Sequence, residues 1–144
     1  MKYLVLALCT LMLMGACKKS DDIDKIFEGR TWYFANAIIQ GQKVVSEFYQ
    51  KDNTYILYFG KESLQGTLST GASFTGTWKA DGKEQTMEFV QLEPTAPLNE
   101  LDNNIFNVLK KIVRYKGDEN QIMLIADDQN LINCTSTRTK ESNY

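Results

Sequence analysis

The chain has 144 residues, with 16 Lys and Arg against 18 Asp and Glu, no His, and a formal net charge of −2. A weakly acidic balance with no basic cluster offers nothing to neutralise phosphates, which speaks against a nucleic-acid partner. The missing histidine removes the usual general base, the commonest metal ligand and every Ser-His or Cys-His nucleophile pair.

Residues 1–16 carry one positive side chain, Lys2, then an apolar run from Tyr3 to Met14, then Gly15 and Ala16. This is the layout of a secretory signal peptide, with cleavage expected between Ala16 and Cys17. A bilayer span takes about 20 apolar residues and this run has about a dozen, so the segment is read as removed rather than spanning. Ala16 suits an ordinary cleavage site but Met14 does not. Met14-Gly15-Ala16-Cys17 instead resembles a lipobox, the lipoprotein motif, and the resemblance implies that Cys17 is acylated and becomes the first residue. Each buried CH₂ contributes about 0.8 kcal/mol, one acyl chain holds a protein marginally, and several anchor it stably. The following Lys18-Lys19-Ser20-Asp21-Asp22 resembles the lysine-then-acidic export signal of Bacteroidetes surface lipoproteins, apart from the inserted Ser20. It implies an outer-membrane protein with its body on the periplasmic or the surface-exposed face. Removing 16 of the 144 residues leaves 128, with 15 cationic and 18 acidic side chains, enough for one domain. Cys9 leaves with the signal and Cys17 is acylated, so Cys134 has no partner for a disulfide and packing alone must hold the domain.

Residues 17–29 read as the lipidated cysteine and a charged tether, ending in a turn of helix that tucks Ile23, Ile26 and Phe27 onto the body. The period then changes. Thr31 to Ile39 is aromatic and β-branched, and Gln40-Gly41-Gln42 follows as a turn. Val44 to Tyr49, Tyr55 to Phe59, Leu64 to Ser69, Phe74 to Lys79 and Thr86 to Gln91 read as further strands, as do Val113 to Lys116, Ile122 to Ala126 and Leu131 to Thr135. Turn clusters separate them, among them Asp81-Gly82, Gly117-Asp118-Glu119-Asn120 and Asp127-Asp128-Gln129-Asn130. Phe74, Gly76 and Trp78 share one face of their strand, while Thr75 and Thr77 take the other. One segment differs: Leu101, Ile105, Val108, Leu109 and Ile112 recur at helical spacing. Glu100 and Asp102 lie at its positive end, and Lys110 and Lys111 at its negative end. The expected fold is mainly β with one helix (α+β): a strongly curved antiparallel sheet or partly open β-barrel, packed by a single amphipathic helix.

Gly29-Arg30-Thr31-Trp32, Phe74-Thr75-Gly76-Thr77-Trp78, Met87-Glu88-Phe89, a Pro-led helix, Val113-Arg114-Tyr115 and Ile122-Met123-Leu124-Ile125 follow one another in an order that resembles the META domain of heat-shock-induced lipoproteins. The resemblance runs from about Phe27 to Thr137. It implies a compact β-rich domain with one helix, no settled activity and a link to stress. The Gly-Cys-Asn motif and second cysteine common in that family are absent, since the corresponding stretches read Leu68-Ser69-Thr70-Gly71 and Leu92-Glu93-Pro94-Thr95. The small lipocalin-like domains of Bacteroidetes lipoproteins are a second candidate.

Chemistry-bearing motifs are few. Asp127-Asp128-Gln129-Asn130 lacks the span and glycine of a calcium loop, and Gly60-Lys61-Glu62-Ser63 lacks the spacing of a phosphate loop, so both read as turns. Cys134 reads as a buried, inert thiol, with a reactive or intermolecular thiol as the alternative. The aromatic set Trp32, Tyr33, Phe34, Phe48, Tyr49, Tyr55, Tyr58, Phe59, Phe74, Trp78 and Phe89 reads as core, or as the lining of a cleft. The expected organisation is a signal peptide at 1–16, lipidated cysteine and tether at 17–29, a META-like domain at 30–139 and a tail at 140–144. The expected function is non-enzymatic: a lipid-anchored envelope module that binds another protein, or alternatively a lipocalin-like binder of a small apolar ligand. No catalytic set, cofactor or metal site is expected. The functional residues are those of processing, Ala16 and Cys17.

Overall fold

The computed structural model describes residues 21–44, 54–69 and 71–138. A four-residue helix α1 (Ile23–Ile26) leads into β1 (Arg30–Ile39), β2 (Gln42–Val44), β3 (Ile56–Phe59), β4 (Ser63–Thr67), β5 (Ser73–Asp81) and β6 (Thr86–Pro94). Helix α2 (Glu100–Lys110) follows, then β7 (Arg114–Gly117), β8 (Gln121–Asp127) and β9 (Asn130–Thr135). All strand pairings are antiparallel, and successive strands from β3 to β9 lie side by side.

The sheet closes. β1 is ten residues long and serves three neighbours: Arg30 to Tyr33 pair with β3, Tyr33 to Ile38 with β9, and Ala37 to Ile39 with β2. An irregularity between Phe34 and Asn36 leaves Ala35 as an extra residue, which sharpens the bend where first and last strands meet. The result is a closed up-and-down barrel of eight strands with the short β2 added at one rim, not the partly open barrel expected from the sequence. Closure depends on β1 meeting β9 about a hundred residues later, and no local periodicity encodes such a pairing. Gln40 and Gly41 form the two-residue β1–β2 turn with φ of 52° and 80°, the positive values that match the twist of a hairpin. Of the strand expected from Val44 to Tyr49, Val44 ends β2 and the remainder lies outside the described residues.

Both ends of the barrel are plugged. α2 crosses one end, with Ile105, Phe106, Val108 and Leu109 buried beneath it. Asn99 caps it by accepting the Asp102 N–H at 2.8 Å. α1 closes the other end: its N-cap Asp22 accepts the Lys25 N–H at 3.2 Å, and Phe27 behind it is wholly buried. The Phe27 ring lies 5.1 Å from Phe59, 5.1 Å from Tyr115 and 5.7 Å from Trp78, measured between ring centres. The expected helical turn is therefore present and tucks onto the body, with Ile26 and Phe27 in the core. Between the plugs, Trp32, Phe34, Leu57, Leu64, Phe74, Met87, Leu124 and Ile132 fill the interior from opposite walls.

Room for the large rings is made by glycine. Gly66 pairs with Phe74 across β4 and β5, and a Cβ built on it would sit 2.1 Å from that ring. Gly66→Ala is expected to cost about 1–3 kcal/mol through overpacking, read as a lower urea midpoint with an unchanged slope. A variant as stable as the parent would show that the Phe74 ring has somewhere else to go.

Candidate functional site

The most polar constellation in the interior is centred on Asp102, which is fully buried in the first turn of α2. Its Oδ1 accepts the Tyr55 hydroxyl at 2.9 Å, and its Oδ2 accepts the Ser69 N–H at 3.1 Å and the Ser69 hydroxyl. Tyr55 is held in the left-handed region (φ 56°) by backbone bonds on both sides, its N–H to Leu68 O and its carbonyl from Phe34 N–H. A Ser–carboxyl contact could suggest a nucleophile and base, but Asp102 exposes no surface to a substrate and lines none of the grooves below. Its chemistry is that of a lock: it ties the start of α2 to the β4–β5 turn and to the entry of β3. Sequence reading placed Asp102 at the helix dipole and missed this role. The available signal was its phase, since 102, 105 and 109 lie on one helical face.

A second latch joins the leading residues to the barrel. The Tyr115 hydroxyl donates to Asp21 Oδ2 at 2.7 Å, Gln85 Nε2 donates to the same oxygen at 3.2 Å, and the Asp21 N–H donates to Gly82 O at 3.1 Å. Burial pushes the Tyr115 phenol well above its ordinary range, and the hydrogen bond and negative charge of Asp21 push it further. Asp21 and Asp22, the acidic pair of the export-like segment, thus both have structural work. Ala16, Cys17, Lys18 and Lys19 lie outside the described residues.

The remaining sequence candidates fall into place without forming a site. Trp32, Phe34, Tyr55, Phe59, Phe74, Trp78 and Phe89 are buried, whereas Tyr58 is 42 % exposed and the Tyr33 ring carries the Arg138 guanidinium at 5.0 Å; Phe48 and Tyr49 lie outside the described residues. Cys134 faces the interior, and burial raises its thiol far above the reactive range. A maleimide is therefore expected to label it only after unfolding; rapid labelling of native protein would mean the barrel opens there. Gly60 to Ser63 is a turn whose Gly60 carbonyl accepts the Trp78 indole N–H at 2.9 Å.

Asp127 accepts the Gln129 N–H at 2.8 Å and the Asn130 amide at 3.1 Å, while Asp118 accepts the N–H groups of Asn120 and Gln121. These bonds hold both carboxyls below their ordinary range. What the two turns add to stability is full above the ordinary carboxylate pKa of about 3.9 and is lost as pH falls through the lower folded values. Asp118→Asn with Asp127→Asn is expected to flatten the acid limb of the stability curve, measured by urea unfolding between about pH 2 and 5. An unchanged limb would assign acid lability to other groups.

Recesses open on the outer surface of the described residues: one of about 430 Å³ lies beside α1 and the β7–β8 turn, lined by Asp21, Asp22, Lys25 and Glu119, and three others lie elsewhere. One of about 400 Å³ lies over β1, β8 and β9, where Asn133 Nδ2 donates to Asn36 Oδ1 at 2.7 Å beside Met123 and Gln121. A smaller one of about 150 Å³ is lined by Gln40, Asn104, Asn107, Lys111 and Asn130 between α2 and the rim turns. The third, about 420 Å³, lies where β6 leaves β7, with Met87, Phe89, Ile112 and Val113 among Lys79, Lys110 and Lys111. Among the described residues, no group of three His, Cys, Asp or Glu could hold a metal ion.

Fold and surface together define a closed, up-and-down β-barrel with a packed interior and helical plugs at both ends. The profile of a family described as a domain of unknown function, DUF4847, matches residues 18–136, and the chain belongs to that family. A crystal structure of a DUF4847 family protein from Bacteroides vulgatus ATCC 8482 is similar over 82 % of this chain and 99 % of its own, at 18 % identity and a TM-score of 0.66. An NMR structure of a protein from Burkholderia xenovorans is similar over 85 % of this chain and 92 % of its own, at 12 % identity and a TM-score of 0.61. At these identities the likeness concerns the fold. No curated protein matches. The resemblance to the META domain is overturned by the family match, and the link to heat shock falls with it. Its supporting features, aromatic strands, glycine-punctuated hairpins and one Pro-led helix, are what any small antiparallel barrel with a helical cap requires. The missing cysteines were the informative part.

Proposed function

We propose that the protein is a lipid-anchored, non-enzymatic interaction module of the bacterial outer envelope. The observation that carries this reading is the filled and doubly plugged barrel, which leaves the outer wall and rims as the places where chemistry with a partner can occur. The anchor rests on Met14-Gly15-Ala16-Cys17, and the outer-membrane location on the residues that follow it. Among the described residues no helix is long and apolar enough to cross a membrane, and an acylated Cys17 would supply the attachment. Only Lys18, Lys19 and Ser20 separate Cys17 from the latched Asp21, a reach of about 14 Å of extended chain, so the α1 end of the barrel would ride close to the bilayer. The lack of histidine and the seclusion of Asp102 favour binding over catalysis.

A carrier of a small apolar ligand is the second reading. It is favoured by the closed eight-stranded barrel, a size that can hold one small molecule. It would require α2 to swing away and the interior rings to move. Native mass spectrometry of the protein purified from its own host separates the two. An apo mass, with the N-terminal peptide carrying acyl chains on Cys17, is the expected result. An additional mass released on denaturation would favour the carrier, and an unmodified N-terminus would remove the anchor. Protease shaving of intact cells tests the face: a protein cut only after lysis points inward.

A further inference from the structure

The barrel wall has a weak seam. β6 extends from Thr86 to Pro94, yet its register with β7 contains one pair, Thr86 with Arg114. The flanking bonds are Met87 N–H to Val113 O and Tyr115 N–H to Gln85 O, each 3.1 Å. Backbone groups alternate between the two sides of a strand, so the next groups on this edge are the Met87 carbonyl and then the N–H and carbonyl of Phe89. β7 cannot take them, because the Val113 N–H donates to Ile125 O at 2.9 Å and the chain ahead of it belongs to α2. Among the described residues no backbone partner continues the ladder at Phe89.

The groove of about 420 Å³ opens along this edge. Met87, Phe89 and Ile112, each at most 5 % exposed, lie at its base as a narrow apolar floor, and Val113, 53 % exposed, forms its lip. Exposed Lys79, Lys110 and Lys111 surround it, against Asp81 and Glu88. Lys110 lies over the Phe106 ring at 5.4 Å.

We propose that this seam is a docking site for an extended acidic peptide segment of a partner protein, added as a strand on β6 beyond Arg114. An unfinished ladder asks for alternating donor and acceptor at strand spacing, which another backbone supplies and an acyl chain does not. The apolar floor takes alternate side chains of the peptide, and the three lysines take its carboxylates. The proposal deepens the interaction-module reading and rests on it.

The test uses the full chain and a fluorescein-labelled peptide of alternating valine and glutamate, followed by anisotropy. Saturable binding is expected, weakening with salt and falling at least about tenfold in Lys110→Glu with Lys111→Glu. Val113→Glu should weaken it as well; both variants change exposed side chains, and thermal unfolding identifies any that is misfolded. The peptide methylated on alternate backbone nitrogens should not bind. Absence of saturable binding at about 1 mM, equal binding of the methylated peptide, or displacement by decanoate alone would each overturn the proposal. If partners are instead cross-linked through the β1–β8–β9 wall, the seam proposal fails while the interaction-module reading stands.

Discussion

Phe27→Ala is expected to lower the unfolding free energy by about 3–5 kcal/mol, the range for truncating a buried phenylalanine. The residue precedes every strand, yet its ring is fully buried among Phe59, Trp78 and Tyr115. Removing it leaves a void at the end of the barrel nearest the chain's entry, and the aromatic contacts it makes contribute beyond their buried area. A domain of this size has about 5–15 kcal/mol in total, so the variant should sit near the edge of folding. Urea unfolding monitored by the two tryptophans reads the effect directly, since Trp78 is a neighbour and the Trp32 indole N–H donates to Ile26 O at 3.1 Å. A loss below about 1 kcal/mol would mean that α1 is an appendage that undocks without disturbing the barrel. Ile23→Ala, on the half-buried face of the same helix, should cost much less and serves as the comparison.

Asp102→Ala should cost about 3–5 kcal/mol for a different reason. The substitution removes little apolar contact but leaves the Tyr55 hydroxyl, the Ser69 N–H and the Ser69 hydroxyl without their acceptor. Each buried donor left unpaired costs about 1–3 kcal/mol. Asp102→Asn keeps one acceptor oxygen and should recover part of the loss, whereas Tyr55→Phe removes one donor and should cost about 1 kcal/mol. Hydrogen exchange along α2 gives the readout: in Asp102→Ala its amides should lose protection before those of β8 and β9. If α2 exchanges as in the parent, the lock is dispensable and the apolar face of the helix holds it alone. The same experiment bears on the carrier reading, because a helix freed at its first turn is the movement that would open the interior.

Strand and helix positions are legible in the sequence, whereas the neighbours of Phe27 and Asp102 are not. Strand positions followed from alternation, as in Phe74 to Trp78, because a strand with one buried face must repeat every second residue. The stripe from Leu101 to Ile112 gave the helix and its buried side for the equivalent reason at a period of 3.6. Phe27 was seen to be apolar and adjacent to a turn of helix, but its neighbours come from β3, β5 and β7, and no local pattern names them. Asp102 reads from the sequence only as a negative charge at the helix dipole, because its partners Tyr55 and Ser69 are 47 and 33 residues away.

By itself the sequence determined where most of the strands and the amphipathic helix lie and in what order, the buried side of that helix and of Phe74 to Trp78, the position of Cys134 and the absence of imidazole chemistry. These are properties of composition and short-range period, and they survive whatever the chain packs against. Tertiary structure alone decided that the sheet closes, because β1 must find β9, and that both ends are sealed, because α2 and Phe27 must find their openings. It also decided the seam on β6, since a ladder stops where two chain segments diverge in space and not where a residue type changes.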